Sequence, residues 1–196
     1  MEQHKIFLDC GTHLFEGLID FYNKKIIDDT FEIHTFEPNP ACDIIERSKK
    51  IPLKINLHNK AIWIEDGYVK FNQENHKKSG TGSPNDGRSD IDGWGSSVDG
   101  IGFVHPGYDS PIIVQSIDFS KFVQNLPSNS KIICKMDIEG SEFQVLRKMI
   151  KDTTIAKIDT IYVEFHERLM PDESVESKNQ LIQEIKNLGV KVEVWF

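Results

Sequence analysis

The sequence predicts an α/β fold built on a mostly parallel, doubly wound sheet flanked by helices. Two observations lead there. Short strand-like apolar runs alternate with helix-like segments along most of the chain, as in strands joined by right-handed crossovers. The runs "KIFLDC" (5–10) and "KIICKMD" (131–137) are also nearly continuous in apolar residues, as expected of strands buried on both faces. At 196 residues the chain suits a single domain, 1–196, with one sizeable core.

Each element follows in order. After the strand at 5–10, apolar residues 14, 15, 18, 19, 21, 22, 26 and 27 predict a helix over 14–27. "FEIHTFE" (31–37) is the second strand. Asn39 as N-cap and Pro40 in the first turn start a helix over 40–50. "LKINLHNKAIWI" (53–64) supplies a third strand and a hairpin with "GYVKFN" (67–72), turning at Glu65, Asp66 and Gly67. Residues 73–111 then break the rhythm, dense in Gly, Ser, Asp and Asn. Connections longer than about 12–15 residues are uncommon in compact domains. The segment reads as a lid or substrate loop carrying Trp94, Phe103 and Tyr108, with a plain insertion as the alternative. Order returns with "IIVQSI" (112–117), a short helix near 118–125 and the strand at 131–137. A helix over 141–151, a strand over 158–166, a helix over 174–188 ended by Gly189, and a strand over 190–196 complete the chain.

Composition narrows the function. With 23 basic and 31 acidic residues the formal charge is −8, and no basic stripe stands out, so nucleic acid is not expected as a partner. Such a balance suits a neutral or cationic small ligand. Cys10, Cys42 and Cys134 are too few and too scattered for a disulfide framework or a zinc site. Cys10 and Cys134 read as buried hydrophobes, which agrees with a reducing compartment. The N-terminus has no signal-peptide core and no run is long enough to span a membrane, so a cytoplasmic protein without a membrane partner is expected.

In a doubly wound sheet, ligands collect at the carboxyl ends of the strands. Those ends read Asp9-Cys10-Gly11-Thr12-His13, Phe36-Glu37-Pro38, Asp137-Ile138-Glu139-Gly140 and Glu164-Phe165-His166-Glu167. Every one is acidic. Gly11 alone is best read as a turn glycine, though its bare backbone also admits a ligand. His13 and Glu16 stand where a dinucleotide fingerprint needs glycine, and Gly17 comes one place too late, which counts against a nicotinamide oxidoreductase. Glu37 sits where the ribose hydroxyls of a nucleoside are held by charge-assisted hydrogen bonds. A solvated strand end is its alternative; Asp9-Cys10-Gly11 one βα unit earlier favours the nucleoside. Asp137, Glu139, Glu164 and His166 are expected to face one another across adjacent strand ends. Carboxylates with one imidazole suit Mg²⁺ or Mn²⁺ rather than zinc, through Asp137, Glu139 and His166. Without a metal, such acids repel and some stay protonated. Glu142 reads as a charge favouring its helix N-terminus.

"FLDCGTH", "HTFEPNP", "WGSSV", "QSIDFSKF", "KMDIEGSEFQVL" and "IYVEFHE", in this order, resemble the FkbM family of S-adenosylmethionine-dependent methyltransferases over about residues 6–167. The resemblance implies a Rossmann-like class I methyltransferase fold and O-methylation of a sugar, a glycan or a similar small-molecule acceptor. It also implies that Asp9, Gly11 and Thr12 lie along the methionine part of the cofactor, with His13 beside them. Glu37, on a backbone stiffened by Pro38, would hold the ribose, and Ala61 and Ile62 would lie near the adenine, a core role being their alternative. "WGSSV" would close over the site. Two departures stand out. Phe15 occupies the place of the family's second glycine, with His13 in place of the commoner asparagine. Only one strand follows the 174–188 helix, where the class I sheet ends in a hairpin. Either "IIVQSI" completes that hairpin or it is missing, leaving an edge that a partner subunit could cover in a homo-oligomer.

Methyl transfer to a hydroxyl needs a base or a metal, because a sugar hydroxyl is too weak an acid to ionise freely. His166 is the leading base on its unperturbed pKa of about 6.5, with Asp137 as runner-up and Glu164 in the same cluster. A catalytically silent S-adenosylmethionine-binding module, marked by Phe15 and the short C-terminal segment, is the competing reading.

Overall fold

The computed structural model describes residues 3–73, 97–98 and 111–195. The chain begins with β1 (His4–Cys10), α1 (Glu16–Asn23), β2 (Phe31–Phe36), α2 (Ile44–Ser48) and β3 (Ile55–His58). It continues with β4 (Ala61–Trp63), β5 (Gly67–Asn72), β6 (Ser97–Val98), β7 (Ile112–Asp118) and α3 (Phe119–Gln124). Last come β8 (Ser130–Met136), α4 (Glu142–Lys151), β9 (Thr160–Val163), α5 (Val175–Asn187) and β10 (Lys191–Val194). Most of the 73–111 segment, with Trp94, Phe103 and Tyr108, lies outside the described residues.

Six strands form one sheet in the order β10-β9-β8-β1-β2-β3, and every pair in it is parallel. The continuous apolar runs are explained by its two covered faces. Ile6, Leu8 and Cys10 of β1 join Ile132, Cys134 and Met136 of β8 on one face, under Leu146 and Met149 of α4 and Ile185 of α5. Phe7 and Ile133 turn the other way and pack with Phe15, Leu18 and Phe21 around α1. Alternate residues of a strand thus feed two cores, which leaves little room for polar side chains on either face.

Four shorter strands make a second sheet in the order β4-β7-β5-β6. Here the expected elements are corrected. The predicted strand 53–64 divides at Asn59-Lys60 into β3 and β4, one in each sheet. The predicted hairpin of β4 with β5 is not formed, because β7 lies between them, parallel to β4 and antiparallel to β5. The bend joining β4 to β5 is instead tied to β7 and α3. Ser116 Oγ donates to the Glu65 carbonyl at 3.0 Å, and Asp66 accepts from the Asp118 N–H at 3.1 Å and the Lys121 ammonium at 2.8 Å. "IIVQSI" therefore belongs to the second sheet and does not complete a terminal hairpin; β10 runs parallel beside β9. Asn39 caps as expected, accepting from Ala41 N–H at 3.0 Å, but the helix over 40–50 breaks at Asp43, whose φ is 43°. Among the described residues, no helix is long and apolar enough to cross a membrane.

The end of β2 is buttressed by aromatic rings. Phe36 stacks on His58 with centroids 4.5 Å apart, and Phe119 and Phe122 meet it edge-on. His58 and His34 share a 3.0 Å hydrogen bond. Burial lowers the pKa of His58 to about 4, with neighbouring His34 adding to the effect, and burial lowers that of His34 too. Both rings favour the neutral form in the fold, so the unfolded chain takes up more protons as pH drops. Their contribution is intact above about 6.5 and is lost as pH falls toward 4. His58→Phe keeps the ring stack but removes the proton site. The variant should lose less melting temperature than the wild type between pH 7 and 4.5, as differential scanning fluorimetry will show; equal losses would contradict the assignment.

Candidate functional site

Strand order reverses between β1 and β8, the place where parallel sheets bind ligands. A cleft opens there, with about 550 Å³ of empty space including its solvent-filled mouth. Gly11, His13, Phe36, Glu37 and Pro38 line it from the ends of β1 and β2, and Asp137, Ile138, Glu139 and Ser141 from the turn after β8. Ala61, Ile62, Phe71 and Val98 of the second sheet form an apolar wall. Of the residues expected from sequence, Asp9 and Thr12 lie buried behind the lining, and Glu164 and His166 stand in the adjoining acidic cluster. Phe71, Ile138 and Ser141 were not anticipated, since their positions depend on how the two sheets meet.

The β1 loop is held by backbone bonds. The N–H groups of Gly11 and Thr12 both donate to the Phe36 carbonyl, at 3.0 and 3.1 Å. Gly11 has φ +74°, and a Cβ there would come within 1.8 Å of the Asp137 carbonyl oxygen. Its bareness is thus required by the approach of two strand-end backbones, which is more specific than a turn. Phe15 also has a positive φ, 70°, and is fully buried. The left-handed turn that glycine would adopt freely is kept by a phenylalanine. Its strain, on the order of 1–2 kcal/mol, is offset by about 1.5–3 kcal/mol from burying the ring. Thr12 Oγ1 donates to Asp9, fixing the hydroxyl beneath the loop.

Glu37 faces the cleft while 6% exposed. It accepts the His13 N–H at 2.9 Å and the Asn39 N–H at 2.8 Å, one on each carboxylate oxygen. Burial raises its pKa, and the bond from Asn39 and the nearby His13 hold it back. Two N–H donors leave further lone pairs on both oxygens for hydroxyl donors.

On the other side of the cleft, four carboxylates surround one ring. His166 Nε2 lies 3.3 Å from Glu139, 3.9 Å from Glu164 and 4.0 Å from Asp137, and Nδ1 lies 3.2 Å from Glu142. Burial alone would lower the His166 pKa, but Glu142, Glu139 and Asp137 outweigh it and push it up to about 10. Those charges favour the protonated ring, which counts against His166 as a free base at neutral pH. Burial, reinforced by Asp137, raises the pKa of Glu164. Burial, opposed by His166, raises that of Glu139 well above its usual value. Glu142 stands in the first turn of its helix, as expected. Its fully buried carboxylate also turns back to accept the Ile138 N–H at 2.8 Å and the Gly140 N–H at 2.9 Å, folding the turn that carries Glu139.

Sequence reasoning also passed over Lys135. It is 2% exposed, directly opposite Asp9 in the β1–β8 register. Its ammonium donates to the Gly11 carbonyl at 2.7 Å and lies 3.5 Å from Asp137 and 3.7 Å from Asp9. It also sits over the Trp195 ring, 4.8 Å from the centroid. Burial disfavours its charge, but Asp137 and Asp9 prevail and raise its pKa. The available signal was a lone lysine inside an apolar strand, which must find a partner.

Gly11→Ala tests the strand-end contact. Left-handed strain of about 1–3 kcal/mol and overpacking of about 1–3 kcal/mol add to an expected loss of about 2–6 kcal/mol in urea unfolding. A change below about 1 kcal/mol would mean that the two strand ends separate easily.

Comparison with known proteins agrees with this geometry. No curated protein and no solved structure matches the chain. The methyltransferase FkbM domain matches residues 9–192, nearly the whole length, from Asp9 beneath the cleft to Val192 of the last strand. Proteins of this family generally use S-adenosylmethionine. The chain therefore belongs to the FkbM methyltransferase family.

Proposed function

We propose that the chain transfers a methyl group from S-adenosylmethionine to a hydroxyl of a sugar or glycan, on a Rossmann-like class I methyltransferase fold. The observation that carries the reading is the pairing, across one cleft, of Glu37 with the acid–histidine cluster. The residues present fit the cofactor. Glu37 has lone pairs to spare for ribose hydroxyls, with Pro38 stiffening its backbone, while Ala61 and Ile62, joined by Phe71 and Val98, offer an apolar wall to the adenine. Asp9, Gly11, Thr12 and His13 shape the loop for the methionine part. When bound, S-adenosylmethionine supplies an electrophilic methyl on sulfur.

The chain's own residues do the rest. The acceptor hydroxyl would lie against Asp137, whose Oδ1 has no hydrogen-bond partner among the described residues. The proton of that hydroxyl would pass to Glu164, made a stronger base than an ordinary carboxylate by burial and by Asp137. His166, as an imidazolium, steadies the negative charge that grows on the hydroxyl oxygen. Phe15 keeps a left-handed turn, φ 70°, at the place of the family's second glycine, which supports the active reading over the silent module.

Glu37→Gln should weaken S-adenosylmethionine binding by about 1.5–3 kcal/mol in calorimetry; unchanged affinity would remove the nucleoside assignment. Glu164→Gln should lower kcat by about 10²–10⁴-fold while cofactor affinity stays level. Turnover is read as S-adenosylhomocysteine released, and as the mass of one methyl added, over a panel of neutral saccharides. Release without any methylated saccharide would exclude the proposed acceptor class.

A further inference from the structure

We propose that Asp137, Glu139 and His166 form a site for a divalent cation of the Mg²⁺/Mn²⁺ class. Each offers one ligand atom, and the three atoms lie within 4.8 Å of one another, so a single ion can reach all of them. Close carboxylates alone would not carry this, since acids commonly share a surface without an ion. Ser141 points independently to a ligand. It is 1% exposed, faces the same cleft beside Asp137 and Glu139, and its Oγ has no partner among the described residues. The Asp137 Oδ1 atom is likewise buried and without a hydrogen bond. Buried oxygens left in that state are costly unless something absent from the chain itself satisfies them.

The surroundings also match a metal site. Glu142 accepts from His166 Nδ1, leaving Nε2 turned toward Glu139 and Asp137. A carboxylate holding the far nitrogen of a histidine is the usual support of a metal-bound imidazole. Glu142 is itself fixed by the Ile138 and Gly140 N–H groups, so the ring's orientation is set before any ion arrives. Two carboxylates and one imidazole favour Mg²⁺ or Mn²⁺ over zinc. Binding would replace the Nε2 proton of His166 with the ion. The site itself does not depend on the methyl-transfer reading. Only its use does: a cation there would take over from the protonated His166 ring the role of polarising the acceptor hydroxyl, and Glu164 would still take the proton.

The test uses Mn²⁺ alone, with the full chain and neither cofactor nor acceptor. Loss of the free Mn²⁺ signal in electron paramagnetic resonance should saturate at one ion per chain. Glu139→Gln and His166→Gln should each weaken uptake at least about tenfold with unchanged far-ultraviolet circular dichroism. If His166→Gln does not fold, Glu139→Gln decides, because that side chain is partly exposed. Wild-type chain that takes up no Mn²⁺ at millimolar concentration, or uptake unaltered by the substitutions, would overturn the site. Cofactor titration in EDTA stands apart from this result, so the failure of one idea is distinguishable from the failure of the other.

Discussion

The buried ammonium of Lys135 is the interaction on which the rest of the site depends. It sits between the ends of β1 and β8 and engages the Gly11 carbonyl, Asp9 and Asp137 together. A lysine in that position is stable only because opposite charges lie within a few ångströms, and losing any of them would strand a charge in the core. Room for its stem comes from Gly17 of α1, where a Cβ would approach Lys135 Cε to 3.2 Å. The close contact of Gly11 with Asp137 follows from the same clamp. One ion-pair network therefore sets the width of the cleft floor and links the loop assigned to the cofactor with the acids assigned to the acceptor.

Charge around the cleft is divided between two carboxylate systems built on different principles. Glu37 is solvated by backbone N–H groups from both sides, which keeps an isolated buried acid affordable. The cluster around His166 instead sets several acids against one ring, and burial, with repulsion among the acids adding to it, raises the pKa values of Glu139 and Glu164. No lysine or arginine lines the cleft among the described residues, so this wall favours neutral or cationic groups over phosphates and carboxylates.

Backbone strain gathers at the same place. His13, Phe15 and Glu139 all have positive φ, a conformation that bulky residues seldom adopt. Each is over-determined by its neighbours: His13 by its bond to Glu37, Phe15 by burial, and Glu139 by the turn that Glu142 folds. Strained residues held in this way are common at functional sites, where a fixed geometry matters more than local stability.

The sequence by itself determined the alternation of strands and helices, the parallel sheet, the acidic strand ends and the family, because each of these is written in neighbouring residues. Apolar periodicity marks a strand wherever it later pairs, and "FEPNP" and "KMDIEGSE" keep their order without reference to the fold. It could not decide that β7 would separate β4 from β5, since nothing local distinguishes a hairpin from a sheet with an inserted strand. Nor could it decide the protonation of His166 or the partner of Lys135. Both depend on charges from other strands, and Asp9 and Lys135 are brought face to face only by the register of β1 against β8. Burial and long-range pairing set these properties, and they exist only once the chain has folded.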